Sequence, residues 1–213
     1  MQNCGPANLP DLFLGCSFYS FPQGADIDPQ ARWIIQGVWN ALLDSRFLDC
    51  SSLSDKKVGV YCGIMNNDML ETRHETGQNF SLNAALGSVA GIVSHVYGFK
   101  GPSMDVNTMC SSGLVCLQLA KEALQCGSCD VAIVAAANWT GGMQNFMRMG
   151  GVNALSPTGI EDCLGSEPSG YVRGEGMVSL VLMRLNEVGS EDIRGILEAV
   201  ERFVMHTAVW WMG

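Results

Sequence analysis

Charge is scarce in this chain of 213 residues. Only 15% of them are Asp, Glu, Lys or Arg, against about 25% in an average globular domain. Basic residues are scarcer still: 12 Lys and Arg face 21 Asp and Glu, for a net charge of −9. No basic run is present, so nucleic-acid binding has no electrostatic footing. No uninterrupted apolar run is longer than Val131–Ala137, far short of the ~20 residues a membrane-spanning helix needs. The first 30 residues hold neither Lys nor Arg. A secretory leader with a basic start is therefore not expected, and a cytoplasmic setting is. Internal repeats and low-complexity tracts are also missing. What is abundant is apolar and small: 47% hydrophobic residues and 25 glycines. That composition excludes disorder and supplies a substantial core.

Nine cysteines stand at positions 4, 16, 50, 62, 110, 116, 126, 129 and 163. An odd number without a secretory leader reads as reduced thiols, most of them small buried apolar residues. Cys126 and Cys129 form a C-x-x-C. A structural zinc site would want a second such pair or histidine partners nearby, and a redox pair normally opens a helix. This pair closes one, so redox and metal roles are the weaker alternatives.

The order of elements carries the fold class. Residues 1–26 are irregular, rich in Gly, Pro and Ser. Asp28 caps a helix with Pro29 in its first turn, and Trp33, Ile34, Val38, Trp39, Leu42 and Leu43 form its apolar face. Lys57–Met65 is a continuous β-branched run that reads as a buried strand. A small-residue helix spans 81–97. After the Gly101-Pro102 break come a short strand over Ser103–Thr108 and a helix over Cys110–Gln125, apolar nearly all round its first turns and so expected to be deeply buried. Gly127 ends that helix. Asp130–Ala137 reads as another buried strand, 139–156 as a Gly- and Met-rich loop, and Met177–Leu185 and 194–204 as further strands. Strands alternating with helices imply an α/β sheet covered on its faces.

The sharpest chemical feature is the strand-to-helix join, Val106-Asn107-Thr108-Met109-Cys110-Ser111-Ser112-Gly113. A thiol at a helix start meets backbone N–H groups and the positive end of the helix dipole, both of which favour the thiolate. The same N–H groups could hold the oxyanion formed when that thiolate attacks an acyl carbonyl. The bland alternative is an inert buried thiol, like Cys116 or Cys126.

The stretch from Gly101 to Asn138, together with Ile27-Asp28-Pro29-Gln30-Ala31-Arg32, Ala154-Leu155-Ser156-Pro157 and Gly170-Tyr171-Val172-Arg173-Gly174-Glu175-Gly176, resembles the β-ketoacyl synthases. In particular it is similar to the ketosynthase domains of polyketide synthases and multidomain fatty acid synthases. The resemblance runs from about Pro10 to Ala199, with its segments in the family's order. It implies a thiolase-like layered α/β fold with a mixed sheet and a buried helix carrying the nucleophile, here Cys110. It implies an acyltransferase in which Cys110 accepts an acyl group from a carrier thioester. The acyl group is then condensed with a malonyl-type extender, with loss of carbon dioxide. No bound cofactor or metal is implied, since acyl groups arrive on the phosphopantetheine of an acyl carrier protein. A homodimer through the strand at Ser103–Thr108 is implied as well.

The sequence departs from the family's pattern in several places. Asn107 stands where Asp is usual, and Met109 where Ala is usual, bulky enough to narrow a pocket. The family's two decarboxylating histidines and a nearby lysine belong to a C-terminal half. His74, His95 and His206 lie in no such motif. His74 reads as part of a solvated loop and His95 as a packed or capping residue. The expected organisation is therefore an apparently truncated N-terminal ketosynthase half over 27–199 with a divergent tail over 200–213. Such a half should expose an apolar face. The alternative to catalysis is a non-catalytic remnant or partner subunit. Arg173 and Glu175 are read as a structural pair.

Overall fold

The computed structural model describes residues 27–45, 53, 55–75, 88–162, 164–166, 169–189 and 193–200. The irregular segment expected over 1–26, positions 81–87 of the small-residue helix, and nearly all of the divergent tail lie outside these residues. Nine principal elements follow in order: α1 (Pro29–Asp44), β1 (Val58–Ile64), α2 (Asp68–Glu75), α3 (Val89–Tyr97), β2 (Ser103–Val106), α4 (Ser112–Gln125), β3 (Val131–Asn138), α5 (Met143–Gly151) and β4 (Gly176–Met183).

The four strands form one sheet in the order β2-β1-β3-β4. β1 runs parallel to β2 and to β3, and β4 closes the edge antiparallel to β3. The sheet is therefore mixed. Strands β1 and β3 occupy the centre because they can be buried on both faces: every residue of β1 is buried, as are Val131–Ala135 of β3. The apolar run of β4 is not buried in the same way. Its residues alternate, with Val178 and Leu180 exposed.

Helices cover both faces, giving three layers. On one face, Ile34, Val38 and Leu42 of α1 and Val89, Ala90 and Val93 of α3 pack on Val58, Val60, Val131 and Ile133. On the other, Cys116, Ala120, Ala123 and Leu124 of α4 pack on Tyr61, Ala132 and Val134. Those four positions of α4 follow the spacing of one helical stripe.

Local chemistry sets the ends of these helices. Asp28 Oδ1 accepts the Gln30 N–H at 2.8 Å, and Pro29 opens α1. Burial of Asp28 pushes its carboxyl up, against the hydrogen bonds from Gln30. Asp105 of β2 accepts the N–H groups of Val89 and Ala90, each at 2.8 Å, and so caps α3 from the neighbouring strand. Gly127, at φ +73°, ends α4.

Several expectations are corrected. Helix α4 starts at Ser112 rather than Cys110 and buries one stripe only, with Leu114 64% exposed. Leu43 lies off the buried face of α1. The Gly- and Met-rich loop contains α5, and the backbone around His74 belongs to α2. No strand forms over 194–200. There Arg194 instead holds the Asp44 carboxylate at the end of α1, at 2.8 and 3.2 Å. Leu114, Val178, Leu180 and Leu185 are exposed.

Candidate functional site

At the carboxyl ends of β1 and β3 the residues that lie under α4, Gly63 and Ala136, are small, and a helix start closes onto them. A Cβ added to Gly63 would lie 2.9 Å from the backbone nitrogen of Gly113, and one added to Gly113 would lie 3.3 Å from Cβ of Ala136. Only glycine at 63 lets α4 approach β1 this closely. This approach brings the turn before α4 to the open end of the sheet.

That turn is strained and heavily tied. Met109 has φ +59°, the left-handed region that a residue with a side chain rarely adopts. Its carbonyl accepts from Ser112 N at 3.1 Å and Ser112 Oγ at 2.6 Å, and its N–H donates to Asn107 Oδ1 at 3.2 Å. Ser112 Oγ also accepts the Thr108 N–H at 2.9 Å, and Ser111 Oγ donates to the Thr108 carbonyl at 2.7 Å. Asn107 Nδ2 donates to the Met65 carbonyl at 3.2 Å. This last contact needs the amide, because an ionised Asp has no proton to give. The departure from Asp at 107 therefore has a use here: it ties the end of β1 to the turn.

The turn presents Cys110 two residues ahead of α4, exposed. It opens on a cleft of about 510 Å³, lined among others by Met65, Met109, Gly113, Asn138, Arg173 and Met177. Cys110 and the glycine-rich segment from Tyr171 to Gly176 thus meet across one cleft although some sixty positions separate them. Met109 lines it and is 57% exposed.

The other described thiols differ in their surroundings. Burial pushes the Cys62 thiol well up and that of Cys116 up to about 12. Burial also raises that of Cys129. Cys126 is exposed at the end of α4, and hydrogen bonding with Ser128 lowers its thiol. It does not line the cleft.

The motif segments converge through polar links. Gln30 Nε2 donates to the Asn66 carbonyl at 2.8 Å, and Asn138 Nδ2 donates to the Gly174 carbonyl at 2.6 Å. The Ala154–Pro157 segment pairs with the glycine-rich one: Tyr171 N donates to Ala154 O at 2.9 Å and Ser156 N to Tyr171 O at 3.0 Å. Gly170, at φ +124°, must be glycine, because a Cβ there would lie 2.5 Å from the Leu155 carbonyl carbon.

The expected pairing of Arg173 with Glu175 is replaced by separate partners. Glu175 accepts from Thr140 N at 2.8 Å and Thr140 Oγ1 at 2.7 Å, which hold its carboxyl below the ordinary range. Arg173 lies over the Phe146 ring, 5.0 Å from its centroid. His95 is exposed in the last turn of α3, and His206 lies outside the described residues.

Sequence reasoning passed over Met65 and Met177 as cleft residues, because nothing distinguishes them from core methionines. It also passed over Asp68, fully buried at the start of α2, whose carboxylate accepts from Gly142 N and Asn145 Nδ2 and so moors α5. A lone Asp in a polar stretch gives no sign of a partner 77 positions away.

Residues 16–188 match the family described as Beta-ketoacyl synthase, N-terminal domain. The chain is 33% identical over 183 residues to the hybrid PKS-NRPS synthetase buaA of Petromyces alliaceus, covering 83% of this chain and 5% of that protein. It is also 33% identical over 184 residues to 3-methylorcinaldehyde synthase of Sarocladium schorii, covering 83% of this chain and 7% of that one. Among solved structures, the oxazolomycin ketosynthase domain OzmH KS7 of Streptomyces albus superposes with a TM-score of 0.68 at 31% identity, over 76% of this chain and 29% of that one. The ketosynthase from module 6 of the bacillaene synthase of Bacillus subtilis 168 gives 0.63 at 30% identity, over 77% and 28%. The chain therefore spans well under a tenth of the length of the curated relatives named here, and under a third of these solved chains.

Proposed function

Since the chain belongs to the β-ketoacyl synthase family, matching its N-terminal domain, we propose that Cys110 is an acyl-accepting nucleophile. The observation that carries this reading is the exposed thiol on a strained, multiply hydrogen-bonded turn, facing a cleft shared with the glycine-rich segment. The thiolate attacks the carbonyl carbon of a carrier-borne thioester. A new C–S bond forms to Cys110, the old C–S bond breaks, and the departing carrier thiolate takes up the proton that Cys110 gave up. Ser112 and Gly113, at the amino-terminal end of α4, line the same cleft. The Ser112 N–H is already given to the Met109 carbonyl, so the Gly113 N–H at that end would meet the developing oxyanion.

The substrates of this reading are acyl thioesters on the phosphopantetheine of an acyl carrier protein, and the thioester exchange itself needs no other cofactor. Decarboxylative condensation with a malonyl-type thioester, as in polyketide or fatty acid assembly, is the larger reaction of which acyl capture is the first half. A homodimer through β2 fits its place at one end of the strand order and the partly exposed Met104 upon it. Met104→Arg should then lower the mass measured by light scattering. The five described cysteines are free, and the setting of this reading is cytoplasmic, where thiols stay reduced.

The test is intact-protein mass after incubation with a short acyl thioester. The wild type should gain one acyl group and Cys110→Ala none. A folded wild type that gains nothing would overturn the reading.

A further inference from the structure

Among the described residues lining the cleft, Arg173 is the one charged side chain. Burying part of a guanidinium is costly unless an anion compensates it. Its sequence neighbour Glu175 is engaged by Thr140 instead. Among the described residues, no carboxylate forms an ion pair with Arg173. Its Nε is buried and has no hydrogen-bond partner. The guanidinium is nonetheless held in place, with Phe146 of α5 beneath it at 5.0 Å. α5 in turn is moored to the buried Asp68 through Gly142 and Asn145. A fixed arginine with free donors in a cleft is suited to receive a carboxylate or phosphate, because its planar fork matches either group.

We propose that Arg173 forms an anion subsite of the Cys110 cleft, which binds the negatively charged group of an incoming thioester. The proposal rests on the acyl-acceptor reading for the identity of that ligand, but not for the binding of the anion itself. The chain's net charge of −9 repels anions at long range, so any anion preference must come from local donors. Two sources share this chemistry. One is a carboxylate on the acyl group, as in a dicarboxylic half-thioester. The other is the phosphate of the carrier arm.

The experiment titrates two matched pairs of small molecules by calorimetry: butyryl- against succinyl-N-acetylcysteamine, and pantetheine against its 4′-phosphate. Wild type, Arg173→Met and Arg173→Lys are compared, with circular dichroism as the folding check. Phe146→Leu leaves the arginine in place but removes the ring beneath it, and serves if Arg173→Met fails to fold. In the wild type, at least one anionic member should bind about tenfold more tightly than its neutral partner, the scale of one charge-assisted contact. Preference in the first pair assigns the carboxylate, and preference in the second assigns the phosphate. The preference should vanish in Arg173→Met, persist in part in Arg173→Lys and weaken severalfold in Phe146→Leu. Equal binding within both pairs overturns the subsite, and so does a preference that survives Arg173→Met. Acylation of wild-type Cys110 by the butyryl thioester is scored separately. If it fails while the anion preference holds, the acyl-acceptor reading falls and the subsite stands.

Discussion

Strands β1 and β3 are each made of two unlike ends. At their amino-terminal ends Val58 and Val60 face Val131 and Ile133 in register, all four fully buried under α1 and α3. At their carboxyl ends Gly63 and Ile64 face Ala136 and Ala137, and the sheet opens into the cleft that Cys110 enters. Branched aliphatic residues fill space at one end; at the other Gly63, Ala136 and Ala137 leave it free, while Ile64 is buried in the core with the residues of the sealed end. Stability and the site are thus separated along the same two strands. A change at one end should register mainly in unfolding, and a change at the other mainly in the position of the turn.

The largest effect should come from emptying the sealed end. Ile133→Ala removes a fully buried side chain and should cost about 2–5 kcal/mol of unfolding free energy, read from the denaturant midpoint. Val178→Ala, on a strand where that side chain is 61% exposed, should stay within about 0.5 kcal/mol. Equal losses would erase the contrast. Crowding the open end comes next. Gly63→Ala sets a Cβ 2.9 Å from backbone at the start of α4. It should cost about 1–3 kcal/mol, as overpacking does, and slow acylation of Cys110 by more than it slows alkylation of Cys126.

The smallest effect lies at the far end of β3. Asp130 accepts the Lys57 N–H at 2.9 Å and holds Arg184 at 3.2 Å, and these contacts lower its carboxyl. The folded state therefore favours the ionised form. Its contribution is present above the ordinary carboxylate range near 3.9 and is lost as pH falls through the lowered value. Asp130→Asn should be slightly less stable than wild type at pH 7, and the gap should close in strong acid. A gap that widens in acid would reverse this sign.

Much of the sealed end was legible from residue order alone. Continuous runs such as Val58–Ile64 and Val131–Ala137 need no partner to be recognised as buried strands, because their own composition excludes water. Asp28 and Pro29 announce a helix start for the same local reason. The open end was legible only in part. The Cys110 turn was visible through its position between a short strand and a helix, but the helix starts later than the apolar pattern suggests because Met109 takes a left-handed turn fixed by Asn107 and Ser112. α5 was read as loop for its Gly and Met content although Met143, Phe146 and Met147 stand at helical spacing; that stripe is exposed, and the helix is held by Asp68 instead. The separation of Arg173 from Glu175 was hidden because Thr140 and Phe146, their actual partners, are remote in sequence.

The turn should single out one thiol. Two described cysteines are exposed, Cys110 in the cleft and Cys126 outside it, while Cys62, Cys116 and Cys129 are buried. The most direct measurement is peptide-resolved mass spectrometry of the folded protein after brief exposure to a short acyl thioester. The acyl group should be found on the peptide containing Cys110, with Cys126 and the buried thiols unmodified. Acylation of Cys126 to the same extent, or of neither exposed thiol, would contradict it.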